Sequence, residues 1–152
     1  MVGGADIGMS GQVRRRTWNA GAVKAVVWYA SWQMECCGDP FAVGEEVAWT
    51  VEGDVNDEWF SAALGPNMGA SITHAEEHHS DEERLDKIEG RVLTITGAWC
   101  AFGPAKPGDR VHVPLGGSAR FVEVRQAGAA DRGTFPDLRF NGWVVELELA
   151  AG

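Results

Sequence analysis

The chain has 152 residues, of which 45% are hydrophobic and 23% charged, and its net charge is −9. A chain of this length buries roughly 70% of its unfolded surface, enough for one self-sufficient core. It holds no apolar run of the roughly 18 residues a membrane-spanning helix needs, and its acidic balance is poor material for gripping phosphate backbones.

Residues 1–20 are glycine-rich, poor in apolar side chains and include Arg14, Arg15 and Arg16. They read as a flexible tail, and residues 21–152 as a single domain. Ala22 to Ala30 is β-branched and aromatic, which predicts a strand. From Val43 to Val51, Val47, Trp49 and Val51 fall on one side with polar neighbours opposite. That period of two marks a half-buried strand. Asp54 to Leu64 predicts one or two helical turns with Trp59, Phe60, Ala63 and Leu64 packed inward. Thr73 to Glu76 fits a capping box ahead of a helix over His74 to Ile88. Such a helix would be polar nearly all round, so a long exposed acidic loop is the competing expectation.

Arg91 to Cys100 predicts a further strand, carrying Val92, Leu93, Ile95 and Trp99. Arg110 to Leu115 and Ala119 to Arg125 flank Gly116-Gly117, a hairpin signal. In the last predicted strand, Gly142 to Leu149, Trp143, Val145, Leu147 and Leu149 alternate with Val144, Glu146 and Glu148. Short strands separated by Gly and Pro turns predict a mainly β fold: a small antiparallel β-barrel or strongly bent sheet, with one or two short helices and a long acidic loop. Closing the sheet removes aggregation-prone edges.

The run Trp32-Gln33-Met34-Glu35-Cys36-Cys37-Gly38-Asp39-Pro40-Phe41, followed by Val43-Gly44 and Trp49, resembles a small family of actinobacterial proteins built on a domain of unknown function. That family carries a similar Trp, Cys-Cys-Gly, Pro-Phe and Val-Gly run and a mid-chain His-His pair, matched here by His78-His79. The likeness extends from Val23 to Gly97 and implies no established activity.

Cysteine occurs at Cys36, Cys37 and Cys100, an odd set that fits a reducing cytoplasm better than a disulfide framework. Cys36, Cys37, His78 and His79 form a candidate structural zinc set, since thiolates and imidazoles suit that ion. On an extended strand, adjacent side chains point to opposite faces, so both thiols reach one ion only if Gly38 bends the chain. The competing expectation places one cysteine in the core and leaves the histidines solvated. His74-Ala75-Glu76-Glu77-His78 also matches the His-x-x-Glu-His pattern of zinc peptidases. The alternative reading is therefore a metal-dependent hydrolase using the His74–His79 cluster, with Glu77 as base and Glu146 or Glu148 as a further ligand. As a nucleophile, Cys37 is disfavoured by Glu35 and Asp39, which oppose the thiolate.

Trp32, Phe41, Trp49 and Trp59 form a candidate binding surface, against the expectation that they fill the barrel. A protein or peptide partner, or self-association into a homo-oligomer, fits that surface better than nucleic acid. A nucleic-acid-binding barrel would need Arg14, Arg15, Arg16, Arg120, Arg125 and Arg139 to converge. From Glu35 to Glu89 the chain carries 15 acidic residues against two basic ones, Arg84 and Lys87. This predicts a solvated face or a surface for a cation or basic partner. The expected function is a cytoplasmic, non-catalytic binding or accessory module centred where Trp32–Phe41 meets the His74–His79 segment, with zinc as its candidate cofactor.

Overall fold

The structure is a computed structural model that describes residues 23–53, 55, 57–78, 85–131 and 133–150; the predicted tail, residues 1–20, lies outside them. In chain order the elements are β1 (Lys24–Ala30), α1 (Ser31–Cys37), β2 (Phe41–Ala42), β3 (Glu46–Glu52), α2 (Asp57–Leu64), α3 (Pro66–Ser71), β4 (His74–Glu76), β5 (Asp86–Cys100), β6 (Phe102–Pro104), β7 (His112–Pro114), β8 (Arg120–Val124), β9 (Gln126–Ala127) and β10 (Arg139–Leu149).

Five strands close into a barrel in the order β10-β1-β4-β3-β5, with β5 pairing back onto β10. The barrel pairs are antiparallel except β1 with β4, which run parallel through Val27–His74 and Trp28–Ala75. β5 is long enough to serve two partners on one edge: Asp86–Arg91 pairs with β3 and Ile95–Trp99 with β8.

The period of two in the sequence sorts side chains between two apolar layers. Ala25, Val27 and Tyr29 of β1 join Trp143, Val145 and Leu147 of β10 in the inner core, with Val51, Val92, Ile95 and Trp99. Trp28, Ala98, Cys100 and Val144 belong instead to a second cluster with Phe60, Ala63 and Leu64 of α2 and with Ile72. Each fully buried Val or Leu in these layers contributes about 1.5–3 kcal/mol. The loop before β10 packs on the same core: Phe135 meets the Trp99 ring edge-on at 5.1 Å, and Trp99 Nε1 donates to the Asp131 carbonyl at 3.1 Å.

The structure departs from the sequence expectations at three places. Thr73 caps no helix. Its hydroxyl accepts from Val26 N at 2.9 Å and donates to Val26 O at 3.1 Å, which docks the following residues on β1 as strand β4. Of the stretch His74 to Ile88, expected as a polar helix or loop, His74–Glu76 form β4 and β5 begins at Asp86, while residues 79–84 lie outside the described ones. The Gly116-Gly117 turn exists, with Gly117 at φ +83°, but its flanking strands do not pair with each other. β7 folds back on β6 and β8 adds to β5, since Leu115 N bonds Ala101 O and Ala101 N bonds Ser118 Oγ, both at 2.9 Å, tying the turn to the end of β5. Finally, the described residues hold three short helices where one or two were expected. α1 stops at Gly38, whose N–H donates to the Gln33 and Met34 carbonyls and where a side chain would collide with the Tyr29 hydroxyl.

Gly142 sits opposite Ala30 at φ +150°, and a Cβ there would collide with the Tyr29 carbonyl and lie 2.9 Å from Ala30 Cα. Gly142→Ala is therefore expected to cost about 3 kcal/mol through strain and overpacking, lowering Tm by roughly 10 °C in a thermal melt. Gly116→Ala, with open space at its Cβ, should melt close to the wild type.

Candidate functional site

Helix α1 joins the two segments that the sequence singled out. Gln33 is buried, and its amide donates to Glu77 Oε1 at 2.9 Å and reaches the Glu76 carbonyl at 3.5 Å. These bonds bring the Trp32–Phe41 run against β4 and its continuation to His78. Beside the junction lies a cavity of about 440 Å³, lined among others by Tyr29, Cys37, Phe41, Trp49, Glu76 and His78. The three aromatic rings pack edge to face or tilted, with Tyr29–Phe41, Tyr29–Trp49 and Phe41–Trp49 centroids at 5.3, 5.2 and 4.9 Å.

The polar centre of this cavity is Glu76, whose side chain is only 3% exposed. Its Oε2 lies 2.7 Å from His78 Nδ1, while Oε1 is buried with no hydrogen bond among the described residues. Burial pushes the Glu76 carboxyl up from the ordinary carboxylate range, and the His78 hydrogen bond draws it partly back. Burial also pushes the Tyr29 hydroxyl up, and the nearby Glu76 charge adds to this.

The adjacent cysteines do not sit on a strand. Both belong to α1, both are exposed, and the Cys37 thiol donates to Cys36 Sγ at 3.3 Å. The expected opposite-face arrangement is therefore replaced by two thiols side by side, because consecutive helical residues diverge by only about 100°. The hydrogen bond to Cys36 holds the Cys37 thiol up, the wrong direction for an activated nucleophile. Cys100 is fully buried and accepts from Asn141 Nδ2 at 3.1 Å.

Among the described residues no three His, Cys, Asp or Glu side chains are grouped as metal ligands, and His79 lies outside those residues. Cys37 and His78 share the cavity, but Cys36 does not line it. The peptidase-like arrangement of His74, Glu77 and His78 does not form. His74 begins a strand, so the helical turn that would place both imidazoles over one ion is missing; His74 Nδ1 instead contacts Thr73 Oγ1 at 2.8 Å.

The four aromatics proposed as one surface are divided between two places. Phe41 and Trp49 wall the cavity, and Phe41, at 3% exposure, is core. Trp32 and Trp59 line a separate cleft of about 610 Å³, together with Trp28, Phe60, Phe102 and Arg139. There the Trp28 and Trp59 rings lie 5.8 Å apart, and the Arg139 guanidinium stacks 4.3 Å over Phe102. The β1 alternation explains the split: Tyr29 faces the inner core and Trp28 the outer layer. The sequence pattern contained that alternation, but not the turn into α1 that carries Trp32 to the outer side. Of the six arginines a nucleic-acid face would need, Arg14, Arg15 and Arg16 lie outside the described residues and Arg139 is engaged on Phe102.

The raised Glu76 carboxyl has a consequence for pH. A carboxyl that titrates above its ordinary value of 4.5 in the folded state stabilises the fold most below that pH, and the contribution is lost as pH rises through the raised value. Glu76→Gln should therefore gain stability relative to the wild type as urea unfolding is repeated from about pH 4 to about pH 7. A stability difference that does not change with pH contradicts the assignment.

No helix among the described residues is long and apolar enough to cross a membrane. Neither a curated protein nor a solved structure matches the chain. A family of unknown function (DUF6578) matches residues 23–149, which spans the whole barrel, and the chain belongs to that family.

Proposed function

We propose that this chain is a cytoplasmic, non-catalytic binding module that takes an apolar side chain of a protein or peptide partner in the cleft lined by Trp28, Trp32 and Trp59. The observation that carries this reading is Trp32, a large aromatic that is 55% exposed at a cleft of about 610 Å³. Apolar area left in water forgoes about 25 cal/mol per Å², and exposed aromatics are enriched where proteins bind one another. The cleft volume falls within the range of ligand sites. The odd cysteine set supports a reducing compartment.

A peptide display library selected on the immobilised protein tests this. Enriched peptides should carry an aromatic or large aliphatic anchor and bind Trp32→Ala about tenfold more weakly. No enrichment, or peptides indifferent to Trp32→Ala, overturns the reading. A structural zinc ion is a second reading, favoured by the two α1 thiols 3.3 Å apart, with His78 and His79 as the imidazole donors the sequence names. Its expected result is near-stoichiometric zinc by plasma mass spectrometry of untagged protein, lost in Cys37→Ala; metal-free protein overturns it.

A further inference from the structure

We propose that the cavity beside Glu76 is a binding site for an alkylammonium cation. It is separate from the Trp32 cleft and does not depend on it. The first observation is the buried carboxylate. Glu76 lines the cavity with its side chain 3% exposed; His78 occupies one oxygen, and the other, Oε1, is buried without a hydrogen bond among the described residues. Leaving a buried oxygen of this kind without a donor is costly, and more so when it is charged. An ammonium N–H satisfies it and neutralises the carboxylate in one contact.

The second observation is the wall. Tyr29, Phe41 and Trp49 pack against one another at 4.9–5.3 Å on this cavity. Tyr29 and Phe41 are buried, and the half-buried Trp49 is the ring that meets a cation and the methylenes of its alkyl chain. The third is the charge of the remaining lining. Asp39, Glu45 and Glu46 contribute further carboxylates, and no lysine or arginine lines the cavity among the described residues. This makes the cavity the locally negative part of a chain whose acidic excess is concentrated between Glu35 and Glu89.

The same lining argues against a hydrated metal ion as occupant. Magnesium and calcium demand six or more oxygen ligands, and aromatic rings cannot replace the waters they would displace. An organic ammonium has few N–H groups to satisfy and an apolar remainder that suits the rings. The volume, about 440 Å³, admits a short amine or the end of a lysine side chain.

The test is an NMR titration of the whole nitrogen-labelled chain at constant ionic strength, following the Trp49 indole N–H. The probes are n-butylammonium chloride, n-butanol as its neutral counterpart, and magnesium chloride. The expected result is a saturable shift with butylammonium and a response about tenfold weaker with butanol, as loss of a charge-assisted contact implies. In Glu76→Gln, which keeps the side-chain shape, butylammonium should bind about tenfold more weakly. An absent or unsaturable shift overturns the proposal, as does equal binding of butanol or displacement of butylammonium by equimolar magnesium. The comparison of butylammonium with butanol is made on the wild-type protein, so it decides the matter even if the variant fails to fold.

Discussion

The fold depends on β10 being paired along both edges. It lies antiparallel to β1 from Lys24 to Ala30 and to β5 from Gly90 to Cys100, so one strand joins the first and middle parts of the chain. This double pairing closes the sheet and leaves β10 no edge exposed to other chains. It also imposes a tight steric condition. At the end of the β1–β10 ladder the two backbones approach so closely that only Gly142 fits.

The opposite seam is the short one. β4 has three residues and shares two register pairs with β1 and two with β3. Backbone bonds alone make this a modest contribution to closure, and side chains reinforce it: Thr73 clasps Val26, and Gln33 reaches from α1 to Glu76 and Glu77. The cavity with the buried Glu76 opens at this seam. A buried carboxylate held by one imidazole weakens the barrel where its ladder is shortest. That is the kind of local inconsistency expected where a fold gives up stability for a binding role.

α1 links the two candidate sites. Its first turn presents Trp32 to the aromatic cleft and its last residue, Cys37, borders the Glu76 cavity. Both places are lined by side chains of β1 as well, Trp28 on the outer side and Tyr29 on the inner.

Much of the barrel was legible in the residues. β-Branched and aromatic residues identified β1, and alternation identified β3 and β10 with their inward faces, because a period of two follows from strand geometry whatever the partners are. The apolar positions of α2 followed from helical spacing. Partner choice was not legible. The Gly116-Gly117 turn looks identical whether its strands meet each other or not, and the choice was made by β5, long enough to accept β8 beside β3. Thr73 carries a helix-capping signature, yet its hydroxyl found Val26, a residue 47 positions away. The sequence by itself determined a β-rich, acidic domain with its apolar faces assigned, since those properties arise from composition and spacing. Only the tertiary structure decided which aromatics share a cleft and that Glu76 is buried beside His78. Those facts depend on strand pairing and chain reversal between residues far apart, which no local pattern encodes.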